Sequence, residues 1–132
     1  KTQSEDIHEA AVIIRQCGKV LLRRCAPDER WAGLWDFPRV EIDSDPEEDE
    51  ELRAQLATRV KEQIGVPIQL GDLLTTIKHG VTRFRITLYC FEARLPAGAN
   101  NGCQHDRLSW ARRAKLADLP LSITGRKLAE LC

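Results

Sequence analysis

One stretch, DSDPEEDEELRAQLATRVKEQIGVPI, constrains the fold more than any other. Leu52, Leu56, Val60 and Ile64 recur every four residues, the spacing of one stripe on an α-helix, and charged or polar residues fill the other faces. Acidic residues crowd the first turn, where the helix dipole favours them, and Gly65 followed by Pro67 supplies a stop. The spacing predicts a helix over about residues 46–64 with one apolar stripe to bury.

The partner for that stripe is a sheet. AVIIRQCGKVLLRRC, residues 11–25, is two apolar runs about a turn at 16–19, which reads as a hairpin. APDERWAGLWDFPRVEI follows, a turn-rich segment in which Trp31, Trp35 and Phe37 gather near Gly33 and Pro38. Those aromatics are expected to anchor the loop in the core, ahead of a short strand over 37–42. Residues 70–79 and 84–95 read as antiparallel strands joined through 79–83, the second alternating Phe84, Ile86 and Leu88 with Arg85, Thr87 and Tyr89. PAGANNGCQHD is predicted to be a loop, RLSWA a short strand, and Ser122 the cap of a final helix over about 124–131. The order implies an α/β fold, a mixed β-sheet with helices packed on it, as a single domain over residues 1–132 with its ordered core at about 11–131.

Composition removes whole classes of function. With 42 % apolar residues the chain can bury a core, yet no apolar run is long enough to span a bilayer and the first residues lack a signal pattern. A cytoplasmic protein is expected, with no membrane partner. The five cysteines are odd in number, scattered and without a C-x-x-C pair, so they are expected to be reduced and to bind no metal. His8 and His105 are read as exposed loop residues. The sequence has no methionine and begins at Lys1, which is read as a piece of a longer product. Net charge is zero, but residues 1–74 hold ten basic against sixteen acidic side chains, and 75–132 hold ten against four. Such polarity leaves room for a basic face that meets phosphates.

The acidic loop and helix resemble the Nudix box, G-x5-E-x7-R-E-U-x-E-E-x-G-U with U apolar. Placing Gly65 on the last glycine puts Glu50 on the lone glutamate and 58–63 on R-E-U-x-E-E. The resemblance implies a Nudix-like α/β/α sandwich. In that family, helix glutamates hold divalent cations against a diphosphate. Here Arg59 and Gln63 stand at two of those three positions and only Glu62 keeps its carboxylate. Positions 59, 62 and 63 share one helical face, so the degenerate helix is expected to carry no metal.

A second resemblance covers about residues 11–131. VLLRRCAPDERWAGLWDFP, with Gly33, Leu34, Trp35, Phe37 and Pro38 on G-L-W-x-F-P, is similar to the C-terminal domain of the MutY family of A/G-specific adenine DNA glycosylases. His79, Val81 and Thr82 loosely match its H-x-F-S/T-H segment, with Arg83 in place of the last histidine. Trp110, Leu116, Pro120, Ser122, Arg126 and Lys127 match its ending.

That resemblance implies a non-catalytic domain that reads 8-oxoguanine opposite a misincorporated adenine during base excision repair. Oxidation turns guanine N7 from acceptor to donor, and a hydroxyl both donates and accepts, so Thr82 is the expected reader, with His79 and Arg83 beside it. Lys78, Arg85, Arg126 and Lys127 are the candidates for phosphates. The implied partners are double-stranded DNA with an 8-oxoguanine:adenine mispair and an N-terminal glycosylase domain of the same chain, which would hold the family's iron–sulfur cluster. This domain itself is expected to need no cofactor. Two alternatives stay open: a Nudix hydrolase of nucleoside di- or triphosphates with a degenerate box, and a protein-interaction domain on that scaffold.

Overall fold

A computed structural model describes residues 5–96 and 107–132. Strands β1 (Glu5–Gln16), β2 (Lys19–Arg24), β3 (Trp35–Asp36) and β4 (Arg39–Ile42) precede helix α1 (Glu50–Ile64). Strands β5 (Gln69–Val81), β6 (Phe84–Arg94) and β7 (Leu108–Arg112), a 3-10 helix (Arg113–Asp118) and helix α2 (Ile123–Ala129) complete the order. The sheet follows the path β3-β2-β1-β6-β5, with β4 paired to β1 and β7 to β2.

β1 is the axis of the sheet. It runs parallel to β6 from Glu5 opposite Phe84 to Ile14 opposite Ala93, and antiparallel to β4 from His8 opposite Ile42 to Ala11 opposite Arg39. Because side chains alternate along a strand, β1 feeds two cores. Ala10, Val12 and Ile14 join Tyr89 and Phe91 under Leu56, Val60 and Ile64 of α1. Ala11 and Ile13 join Leu88 and Cys90 on the opposite face, covered by Leu116, Leu121 and Leu128. The expected three-layer α/β arrangement with a mixed sheet is therefore present.

Several boundaries differ from expectation for local reasons. β1 begins at Glu5 rather than Ala11, because β6 extends far enough to pair with it as far as Phe84. α1 begins at Glu50 rather than near residue 46. The Asp49 carboxylate accepts the Leu52 N–H at 3.1 Å as its cap, while the Asp45 carboxylate takes the Glu47 N–H at 2.9 Å and holds a turn ahead of it. Ser122 caps the last helix as expected, accepting from Gly125 N–H at 3.0 Å, but that helix ends at Ala129. His8 is no loop residue: it lies on β1, its Nδ1 3.0 Å from the Tyr89 hydroxyl with the rings stacked. Residues 97–106, which include the predicted loop, Cys103 and His105, lie outside the described residues.

The far strand, β5, is irregular. Its pairing with β6 shifts register between Leu70 and Leu73 and again between Leu73 and Thr75. Beside the first shift, Arg53 of α1 stacks over Phe91, 5.3 Å from the ring centroid, and donates to the Gly71 carbonyl at 3.0 Å. Gly71 has no room for a side chain, since a Cβ there would meet the Glu92 side chain at 2.8 Å. Among the described residues no helix is long and apolar enough to cross a membrane.

Candidate functional site

The face of α1 that carries Arg59, Glu62 and Gln63 is turned partly toward β4. Gln63 accepts the Arg39 N–H at 3.2 Å through Oε1 and donates to the Arg39 carbonyl at 3.0 Å through Nε2. Arg59 donates to the Glu41 carbonyl. Both side chains therefore fasten the helix to the strand. Glu62 is exposed, and Glu50, twelve residues earlier at the helix start, lies about 18 Å away along the axis at 1.5 Å per residue. The two carboxylates cannot share one ion. Hard divalent cations need clustered oxygens, and this face offers one carboxylate beside a guanidinium and a carboxamide already bonded to backbone. The residues present do not fit the metal that the helix resemblance implies, and among the described residues no three His, Cys, Asp or Glu side chains are grouped to hold one.

A denser arrangement lies next to that face. Arg39 follows Pro38 at the start of β4, and its guanidinium reaches into the layer below α2. It meets Asp36 at 2.9 Å and Glu9 at 3.4 Å, and donates to the Thr124 hydroxyl. Arg30 pairs with the other oxygen of Glu9 at 3.0 Å, and Arg23 pairs with Glu29 at 2.9 Å. The three arginines and three carboxylates line a cleft of about 220 Å³ with Trp31, Phe37 and Cys25. Two donors there are buried and have no hydrogen-bond partner among the described residues: Nε1–H of Trp31 and Nε–H of Arg39. A buried N–H without an acceptor costs free energy, so an acceptor placed in the cleft would stabilise these donors.

Electrostatics follow the geometry. Burial pushes the Asp36 carboxyl up, against the pull of the Arg39 guanidinium and the Phe37 N–H. Burial, then the charges of Asp36 and Glu29, pushes the Cys25 thiol up to about 11. His79 is held below its ordinary value by burial first and by the Arg39 guanidinium second. The charges of Glu9, Arg30 and Lys127 act on it as well, and its side chain lines a surface concavity with Asp6, Lys78, Arg85 and Thr87.

The hairpin tip is the other region of interest. Val81 pairs with Phe84, leaving Thr82 and Arg83 as a two-residue turn. Thr82 has φ of 53°, a left-handed conformation that a β-branched residue rarely takes, and its exposed hydroxyl donates to the Val81 carbonyl at 2.7 Å. Arg83 lies over the Phe84 ring, 5.4 Å from its centroid and 3.8 Å from the Glu5 carboxylate. Arg85 is paired with Asp6 at 3.0 Å, and Lys78 is exposed on the neighbouring strand. The structure thus gathers Lys78, His79, Thr82, Arg83 and Arg85 on one hairpin, with His79, Lys78 and Arg85 lining one concavity. Arg126 is elsewhere, donating to the Leu116 and Leu119 carbonyls at 2.8 and 2.6 Å to close the chain ahead of α2.

Of the expected anchors, Phe37 is 1 % exposed and fully in the core, Trp35 is partly buried against it, and Trp31 instead lines the cleft. Sequence reasoning left out Glu9, Arg30 and Arg39. One signal was available: Glu9 is a lone charge at the start of the apolar run EAAVII, where a solvated carboxylate has no place.

Comparison with known proteins sharpens this picture. A family model described as NUDIX domain matches residues 9–131. The CTP pyrophosphohydrolase of Escherichia coli strain K12 is 26 % identical over 124 residues, covering 94 % of this chain and 89 % of that protein. The crystal structure of a MutT protein from Methanosarcina mazei Go1 superposes with a TM-score of 0.75 at 23 % identity, covering 99 % and 95 % of the two chains. The NUDIX domain of Shewanella oneidensis NrtR, solved with ADP ribose, superposes with a TM-score of 0.66 at 21 % identity, covering 98 % and 86 %. These relatives do not attach the chain to the adenine glycosylases.

Proposed function

The chain belongs to the NUDIX domain family, and from that premise we propose that it is a nucleotide-recognising, hydrolase-like member that takes a nucleoside di- or triphosphate at the cleft between Trp31 and Arg39. The observation that carries this reading is the pair of buried donors, Trp31 Nε1–H and Arg39 Nε–H, without a hydrogen-bond partner among the described residues, in a cleft also lined by the carboxylates of Glu9 and Glu29. A nucleobase presents ring nitrogens and carbonyl oxygens as acceptors beside amino groups as donors, which is the complement of that lining. The likeness to a CTP pyrophosphohydrolase supports the same ligand class. Cleavage through a metal ion is not part of the reading, because Arg59 and Gln63 leave Glu62 as the lone carboxylate on the α1 face. The reduced thiols and nucleotide ligand fit a cytoplasmic setting.

The test is thermal unfolding with a panel of nucleoside di- and triphosphates, each with Mg²⁺ and with chelator, run beside an assay for released phosphate and pyrophosphate. Stabilisation by at least one nucleotide, equal in both conditions and weakened about fivefold in affinity by Trp31→Phe, is expected. Metal-dependent release would instead establish hydrolysis by ligands other than those of the helix. If no nucleotide shifts the transition, the reading fails.

A second reading, the DNA-lesion domain of an adenine glycosylase, has one observation in its favour. Thr82 is held strained and exposed at the tip of a protruding hairpin, with lone pairs free to accept from the N7–H of 8-oxoguanine. Its partners would be an 8-oxoguanine:adenine duplex and an iron–sulfur glycosylase domain. Against it, the flanking Arg83 and Arg85 are matched by Glu5 and Asp6. Equal affinity for lesion and undamaged duplexes would remove this reading.

A further inference from the structure

The end of the sheet opposite the Thr82 hairpin is the electropositive one. β1 and β6 run parallel, so the β1–β2 turn lies beside the C-terminal end of β6, ten residue steps from the hairpin tip, or about 33 Å at the rise of an extended strand. Four neighbouring strands bring cations to that end: Arg94 from β6, Arg15 from β1, Lys19 from β2 and Arg112 from β7. Arg113 and Lys115 continue the row on the 3-10 helix. All but Lys19 are exposed.

Only Arg15 has a carboxylate partner, Glu92 at 3.7 Å; among the described residues none of the other five makes an ion pair. Lys19 stands directly opposite Arg112 in the β2–β7 register. Like charges facing each other across a ladder are destabilising by a few tenths to about 1 kcal/mol, and among the described residues no side-chain carboxylate forms an ion pair with either. Beside it, Arg15, Lys19 and Arg113 rim a concavity of about 310 Å³ whose lining holds no aspartate or glutamate. The densest acidic stretch of the chain, the run from Asp43 to Glu51, sits at the other end with Glu5 and Asp6, while Glu92 lies at this end, paired with Arg15. Zero net charge therefore conceals a strongly polarised molecule.

We propose that this rim docks the phosphodiester backbone of duplex nucleic acid, contacting it without reading sequence. Because side chains alternate along a strand, Lys19 and Arg112 stand on the face under α1 and Arg15 and Arg94 on the face under α2, so the cations ring the end of the sheet from both faces, enough of them to meet on the order of four phosphates of a duplex laid against it. The proposal is independent of both readings above, since it concerns neither the cleft nor the hairpin.

The test uses the whole chain and a fluorescein-labelled, undamaged 24-base-pair DNA duplex, titrated at salt concentrations from about 20 to 200 mM. Neutralising about four phosphates implies that affinity falls on the order of 100-fold between 50 and 200 mM salt. In the triple variant Lys19→Gln, Arg112→Gln, Arg113→Gln the same change in salt is expected to cost only several-fold, and affinity at low salt to drop by at least tenfold. The three positions lie on the surface, and an unchanged thermal transition confirms that the variant folds; the charge-retaining Lys19→Arg, Arg112→Lys, Arg113→Lys chain keeps the wild-type slope. Thr82→Ala is expected to leave binding of undamaged duplex unchanged. Absence of binding at low salt, or a salt slope that survives the triple neutralisation, overturns the proposal.

Discussion

Gln63 holds the backbone of Arg39 from both sides, accepting its N–H at 3.2 Å and donating to its carbonyl at 3.0 Å. A carboxylate at that position could accept but not donate. The side chain that the helix resemblance would assign to metal therefore works here as a clamp between α1 and the strand that delivers Arg39 to the cleft.

Gln63→Glu replaces the donating amide with an oxygen that faces the Arg39 carbonyl. The expected cost is about 1–2 kcal/mol in urea unfolding. Metal-dependent phosphate release is not expected to appear, because Arg59 still neutralises the face. A variant as stable as wild type would show the clamp to be idle.

Arg39→Met leaves Asp36, 3 % exposed, without its main counter-charge. Breaking such a pair on one side costs about 3–5 kcal/mol. Adding Asp36→Asn is expected to recover a substantial part of that loss. A double-mutant cycle on unfolding free energies measures the coupling, and additivity of the two changes would contradict it.

Acidification acts through His79. Its folded value lies below the ordinary 6.5, by burial and then by the Arg39 charge. The unfolded chain thus binds the proton more tightly. The contribution of neutral His79 is present above pH 6.5 and is lost as pH falls through the lower folded value. The thermal transition measured from pH 7.5 to 5 is expected to fall less steeply in His79→Gln than in wild type. Identical slopes would show that His79 contributes nothing to the pH response.

Thr82 carries backbone strain at φ of 53°. Thr82→Gly relieves about 1–2 kcal/mol of left-handed strain and returns part of it as chain entropy. The net expectation is a gain between zero and about 1 kcal/mol, read by thermal unfolding. A loss larger than about 1 kcal/mol would mean that the threonine side chain supports the turn.

Thiol chemistry is expected to divide by burial. Cys17 is exposed, whereas burial pushes Cys25 up to about 11 and Cys90 up to about 12. Brief alkylation at pH 8 followed by peptide mass mapping should label Cys17 while leaving Cys25 and Cys90 unmodified in the folded chain. Early labelling of Cys90 would indicate opening of the sheet.

The layered fold was legible because its signals are local. The four-residue stripe from Leu52 to Ile64, the alternation of 84–89 and the Ser122 cap each report a neighbour's burial within a few positions. The cleft was legible only in fragments. Glu9, Arg30, Asp36 and Arg39 are scattered over thirty positions and meet only once β1 and β4 pair in register, which no period in the sequence encodes. Lys19 and Arg112 are further apart still, so their confrontation shows only in the β2–β7 ladder. Arg126 was misleading for the opposite reason: a basic residue in the sequence carries no mark of whether backbone carbonyls have already claimed it.

The two register shifts in β5 bear on how this molecule keeps to itself. A straight thirteen-residue border strand would be a template onto which another chain could zip, the first step toward fibrils. β5 is kinked twice in its first half, and Arg53 occupies the Gly71 carbonyl at the first kink. An incoming strand meets an interrupted row of backbone groups, so the residues that bend the sheet also guard its border.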